Sequence, residues 1–219
     1  MEGSFQAGIW KTQFGKEYTD RNSFLPEEID KIYEERYGIS RSEMNKMFLQ
    51  DLNLQDKKIL EVGCNLGNNL FFLQKAGYEN LYGIELQDYA VEKAKELTKG
   101  INIIQGLADD VPFKNKWFDM VFTSGVLIHI SPGNVGSVLD EIYRCTREYI
   151  WGFEYYADEY TEIHYRGYDN LLWKTNFAKL YTDRFSDLRL VKEKRFKYND
   201  SENVDTMFLL KKDQMILTE

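Results

Sequence analysis

From Lys57 onward, the hydrophobic positions of this chain switch between two periods. Short runs rich in β-branched and aromatic residues, such as "KILEV", "LYGIEL" and "FDMVFTS", alternate with segments whose apolar residues fall on one helical face, such as Leu70, Phe71 and Leu73 or Val138, Leu139 and Ile142. The pattern predicts strands over 58–62, 80–85, 101–105, 117–123 and 148–154, with helices over 68–76, 88–98 and 134–146. Such alternation requires crossover connections, hence a mostly parallel sheet with helices on both faces. After residue 155 the rhythm changes. The tyrosine-rich "YYADEYTEIHYRGYDN" leads to an amphipathic run over 171–180, then to β-like runs at 188–198 and 204–210. "NDSEN" between the last two is short enough for a hairpin, so one C-terminal strand is expected to run antiparallel.

Upstream, Pro26 suits the first turn of a helix with Ile29, Ile32 and Tyr33 on one face and Gly38 as its stop. Ser40 and Glu43 have capping-box spacing ahead of Met44, Met47, Phe48 and Leu52, so a second helix is expected to end near Leu52. Residues 1–24 mix aromatic, glycine and polar residues without a clean period and read as an irregular arm, which Trp10 and Phe14 argue is docked. There is no internal repeat and no low-complexity segment. The expected organisation is one compact domain, with 1–56 as a helical and irregular cap and 57–219 as the α/β body.

Composition narrows the classes. With 219 residues, 43% of them hydrophobic, the chain can bury one core but not two independent ones. Twenty-eight Lys and Arg against 36 Asp and Glu leave a net charge of −8 and no basic run, which disfavours nucleic acid as a partner. Cys64 and Cys145 are far apart and, with only two histidines, have no metal-ligand spacing, so neither a zinc site nor a disulfide framework is expected, and a reducing cytoplasm fits. No apolar run approaches a membrane span, so a soluble protein without a membrane partner is expected. Nothing in the sequence sets an oligomeric state.

The chemistry gathers around "EVGCNLGNN". Gly63 and Asn65 tolerate positive φ or a close ligand, and Gly67 lets a helix start against the preceding strand; taken alone, such a turn serves equally well as a tight βα connection. The next strand ends in Glu85, about 20 residues past the glycines, where a carboxylate can accept both hydroxyls of a ribose. The plainer reading of Glu85 is a solvated strand-end acid. Two cofactors compete for the arrangement. A dinucleotide fingerprint needs three glycines, the second giving a pyrophosphate room on the helix N-terminus. Here Glu61 ends the first strand instead. Its carboxylate is awkward beside a pyrophosphate and favourable beside the ammonium and sulfonium of S-adenosylmethionine.

"ILEVGCNLG", "LYGIEL", "GLADDVPF" and "FDMVFTSGVLIHI" resemble, in order and spacing, the class I S-adenosylmethionine-dependent methyltransferases. The resemblance covers roughly residues 57–154 and implies a Rossmann-like fold with a mostly parallel seven-stranded sheet and an antiparallel C-terminal strand. By it, Glu61, Gly63, Asn65 and Gly67 frame the methionine moiety, Glu85 holds the ribose, and Leu107, Ala108 and Asp109 flank the adenine. Cys64, Asn68, Leu86 and Ser124 complete the implied contacts with S-adenosylmethionine or its product S-adenosylhomocysteine. Many relatives carry an acid where this chain has Leu107, so Asp109 is the candidate for the adenine amine; Asn65 in place of a glycine is a second departure. "FGKEYTDRN", "GVLIHISP", "EYY", "IHYRG" and "NFA" further resemble methyltransferases associated with pseudaminic acid biosynthesis. That likeness implies a small-molecule acceptor related to a sugar or nucleotide-sugar.

Groups that could serve an acceptor should project from the carboxyl edge of the sheet or from its attachments. His129 is a candidate base, or else a satisfied core histidine. Glu154 and Tyr155 end a strand and are either catalytic or packing residues. Arg166 could clamp an anionic group bidentately with His164 and Tyr165 beside it, or sit in a solvated loop. Phe14, Tyr18, Arg21 and Asn22 could close over the cofactor as a lid. Two rival functions stand beside methyl transfer: a nicotinamide-dependent oxidoreductase and a non-catalytic S-adenosylmethionine-binding module.

Overall fold

The computed structural model describes residues 4–24 and 26–213. Four helices come first: α1 (Phe5–Trp10), α2 (Gln13–Arg21), α3 (Pro26–Tyr37) and α4 (Arg41–Leu49). The α/β body follows as β1 (Lys58–Val62), α5 (Asn68–Lys75), β2 (Asn80–Glu85), α6 (Asp88–Leu97), β3 (Asn102–Gln105), β4 (Phe118–Ser124), a short 3-10 helix at Leu127–His129, α7 (Val135–Cys145) and β5 (Thr146–Tyr155). A two-residue pair, β6 (Thr161–Glu162) and β7 (Trp173–Lys174), precedes α8 (Phe177–Arg184), β8 (Leu188–Lys197) and β9 (Val204–Lys212). The seven-stranded sheet has the order β3-β2-β1-β4-β5-β9-β8, and β9 alone runs antiparallel to its neighbours.

Alternation along the strands divides the core. Leu60 and Val62 of β1 join one cluster with α7 and α8, while Ile59 faces the other with α4, α5 and α6. Burying both faces demands strands that are apolar almost throughout, as in the fully buried "FDMVFT" of β4. The Ser40–Glu43 capping box forms as expected: the Ser40 hydroxyl accepts the Glu43 amide and the Glu43 carboxylate accepts the Ser40 amide.

Three expectations change. Residues 5–21 are not irregular; Ser4 and Thr12 cap two short helices. The missed signal is the four-residue spacing of Trp10, Phe14 and Tyr18: the Trp10 ring meets each of the other two edge to face at 5.1 Å across the α1–α2 junction. The run over 171–180 is not one helix. Leu171 and Leu172 are buried just ahead of β7, and Asn176, whose side chain accepts the Lys179 amide, caps the start of α8. Finally, α4 stops at Leu49 rather than near Leu52.

Candidate functional site

A cleft of about 830 Å³ opens along the carboxyl edge of β1, β2, β4 and β5, with α1, α2 and α3 forming its outer wall. Its depth comes from the turn after β1. Gly63 has φ +74°, and a Cβ there would lie 2.6 Å from Val126 Cγ2, so only glycine fits where this backbone meets the 125–128 loop. Asn65 takes φ 46° and Gly67 φ 76°, which turns the chain into α5. Gly67 serves the turn and does not line the cleft, whereas Cys64, Asn65 and Asn68 do.

The two strand-end acids face this cleft, each held differently. Glu85 accepts the Asn65 amide at 2.9 Å through Oε2 and the Gln87 amide at 3.0 Å through Oε1. It is therefore no solvated surface acid: it ties the glycine turn to the end of β2, and burial raises its pKa against those backbone donors. Glu61 is 1% exposed. Its Oε1 accepts Asn69 Nδ2 at 2.7 Å, while Oε2 is buried without a hydrogen-bond partner. Desolvation pushes this carboxyl up to about 8, with Asn69 and the nearby Arg41 guanidinium pulling it down. A buried carboxylate oxygen left unsatisfied at a ligand cleft is costly on its own and suits a cationic ligand group. Arg41, unremarked in the sequence, is 1% exposed and donates to Asn45, Tyr33 and Ser124. Leu86, Leu107, Ala108, Asp109 and Ser124 complete this end of the cleft.

The N-terminal helices are docked by polar contacts. Asn65 Nδ2 donates to Thr19 Oγ1 at 3.1 Å, and Gln87 Nε2 donates to the carbonyls of Trp10 and Thr12. Tyr18, Arg21 and Asn22 line the cleft, whereas Phe14 packs behind them against Trp10, Tyr165 and Tyr168.

At the other end the candidates separate. His129 lines the cleft and is buried; its Nδ1 donates to the Leu171 carbonyl at 2.8 Å, leaving Nε2 the acceptor of a neutral ring. Burial lowers its pKa to about 4, so it stays uncharged at neutral pH. Tyr155, Tyr165 and Arg166 also line the cleft, with Arg166 at φ 51° on the tip of an exposed turn. Glu154 does not. It points under the site, accepting the Val126 and Ile128 amides, and shapes the loop that Gly63 touches. His164 also lies outside, turned to solvent and paired with Asp169 at 2.7 Å. Strand alternation explains Glu154, since its neighbours Phe153 and Tyr155 line the cleft. Tyr33, expected only on the packing face of α3, and Tyr37 and Asp205, for which the sequence offered no role, line it too. The only local hint was an acid opening the apolar run "VDTMFLL".

Among the described residues, no group of three or more His, Cys, Asp and Glu side chains could hold a metal ion, and no helix is long and apolar enough to cross a membrane. Both cysteines are free and buried.

Residues 60–149 match the family described as "Methyltransferase domain". An uncharacterized methyltransferase of Synechocystis, sll0829, is 30% identical over 88 residues, which is 40% of this chain and 41% of that protein, so the chain spans about two fifths of this relative's length. In three dimensions the chain superposes on a Burkholderia thailandensis 1,6-didemethyltoxoflavin-N1-methyltransferase, solved with that compound and S-adenosylhomocysteine, at TM-score 0.69 and 15% identity over 95% of this chain and 89% of that one. An S-adenosylmethionine-dependent methyltransferase from Methanosarcina mazei gives TM-score 0.62 and 14% identity over 75% and 96% of the two chains. The central segment thus matches a methyltransferase domain in sequence, and the chain shares its fold with these two solved proteins.

Proposed function

We propose that this chain is a class I S-adenosylmethionine-dependent methyltransferase acting on a small polar acceptor. One observation carries the reading: the unsatisfied, buried Oε2 of Glu61 beside a glycine turn whose Asn65 amide is pinned by Glu85. The residues present fit the cofactor. Glu61 would take the ammonium of its amino-acid end, the second lone pairs of Glu85 the ribose hydroxyls, and Asp109 the adenine amine, with Gly63 and Asn65 giving the backbone room to approach. The bound cofactor supplies an electrophilic methyl group on a sulfonium sulfur. The chain's own work is positioning and exclusion of water. Trp10 and Tyr18 cover the cleft from outside, and the neutral His129 offers Nε2 as a hydrogen-bond acceptor within it. A pyrophosphate on this glycine turn would meet the buried Glu61, which disfavours a nicotinamide cofactor.

The motif likeness to pseudaminic acid-associated methyltransferases supports a sugar or nucleotide-sugar acceptor, with Arg166 near its anionic part. Calorimetric titration with S-adenosylhomocysteine and, separately, NADH tests the core of the proposal. Binding of the first and not the second is expected; no heat and no thermal shift with millimolar S-adenosylhomocysteine would end it. Labelled methyl transfer across a sugar and nucleotide-sugar panel tests the acceptor class.

A further inference from the structure

A second buried carboxylate lies at the opposite end of the cleft, where β9 begins. Because β9 runs against its neighbours, its first residues share an edge with the last residues of β5, and Asp205 pairs across to Tyr155. Three strand spacings separate β9 from β1, roughly 14 Å, so Asp205 and Glu61 stand at opposite ends of one cleft. A cavity of about 830 Å³ is near the top of the range for one drug-sized ligand and has room for two small molecules side by side.

Asp205 is 2% exposed, and its hydrogen bonds are one-sided. Tyr37 donates to Oδ2 at 2.5 Å and Tyr198 to the same oxygen at 3.0 Å, while no hydrogen bond from the described residues satisfies Oδ1. Around it stand rings: Tyr33 and Tyr37 with centroids 5.3 Å apart, and Phe153 6.0 Å from each. Two phenols that fix a carboxylate by one oxygen leave the other oriented and free. Unlike Glu61 Oε2, Oδ1 is not a fully enclosed atom, so it is the oxygen that reaches the cleft.

We propose that Asp205 is the acceptor-binding carboxylate. Its Oδ1 receives an N–H or O–H from a ring-bearing acceptor, neutral or cationic at that end, whose ring lies among Tyr33, Tyr37, Phe153 and Tyr155. The inference rests on the methyltransferase reading for the word acceptor, but not for the pocket. It adds charge selection to the acceptor class: an anionic group must point away from Asp205, toward Arg166, which also lines the cleft.

The test uses protein saturated with S-adenosylhomocysteine and three probes followed by ligand-observed NMR: p-aminophenol, methyl α-glucoside and benzoate. The two proton donors should bind and benzoate should not, with the stronger of the two sorting aromatic from carbohydrate acceptors. Asp205→Asn should weaken the donors about ten- to a hundredfold, leaving S-adenosylhomocysteine affinity within about twofold. Donor binding in the wild type should fade below about pH 6, where Asp205 gains its proton. The charged and titratable groups facing it are Tyr37 and Arg36 of α3, Tyr198 at the hairpin, Tyr155 of β5 and Lys174 of β7. Tyr37→Phe removes a donor that lowers this pKa, so it should move the midpoint upward, which a packing role would not do. Donor binding untouched by Asp205→Asn, binding of benzoate alone, or no probe bound at all would overturn the proposal. Failure of the wild type to bind S-adenosylhomocysteine would instead overturn the methyltransferase reading.

Discussion

The two ends of this cleft are assembled in opposite ways. Apart from Ser124 of β4, the proposed cofactor end is drawn from one stretch of chain, residues 61–109, in the strand ends of β1 and β2 and the turns that follow β1, β2 and β3. The proposed acceptor end collects Tyr33 and Tyr37 from α3, Phe153 and Tyr155 from β5, Tyr165 from the following turn and Asp205 from β9. Each end holds a buried acid: Glu61 with an enclosed Oε2 that has no partner, and Asp205 with both phenols on Oδ2 and none on Oδ1. The difference teaches that local chain order can build a site for a constant ligand, while a site for a variable one is gathered from attachments.

The sharpest separation should come from Glu61→Gln, which we expect to weaken S-adenosylhomocysteine about a hundredfold by calorimetry, since a charge-assisted contact to the ligand's ammonium is lost. The same change should stabilise the ligand-free protein. Glu61 ionises above about 4.5 when unfolded but only above about 8 when folded, so its contribution to stability falls as pH climbs through that window, and glutamine removes the slope. Thermal melts at pH 6 and pH 9, compared between the two proteins, read this directly. In the wild type the ligand's ammonium should restore ionisation, so binding at pH 7 should release close to one proton, measurable in buffers of different ionisation enthalpy.

Glu85→Gln should cost about tenfold in the same titration, because the charge toward the ribose is lost and, with Asn65 and Gln87 bonded to separate oxygens, one of these two amides loses its acceptor. Gly63→Ala should destabilise by about 1–3 kcal/mol through left-handed strain and contact with Val126, seen as a lowered melting temperature. The smallest expected effect on this ligand is that of Asp205→Asn, within about twofold. A loss matching that of Glu61→Gln would merge the two ends into one site and break the comparison.

Legibility follows the same division. The strand starting at Lys58, the Ser40–Glu43 cap and the "NDSEN" hairpin were all readable, because hydrogen-bonding and burial rules act within a few residues. Glu61 and Glu85 were readable because a strand end followed by a turn constrains where its last side chain can point. Glu154 was not: it also ends a strand, but its position in the alternation sends it beneath the loop to the Val126 and Ile128 amides. His164 sat in an apparently informative motif, yet the turn at Arg166 and Gly167 faces it outward to Asp169.

Hydrophobic period, caps and glycine positions alone determined the βα order, the two helix faces of the sheet and the pair of acids at successive strand tips. Which acids share the far wall was decided only when β9 folded back between β5 and β8, carrying Asp205 to an edge that its sequence neighbours do not announce. The physical reason is direction. An antiparallel strand brings its beginning, not its end, to the edge where parallel strands finish, and no local pattern records which partner reverses the chain.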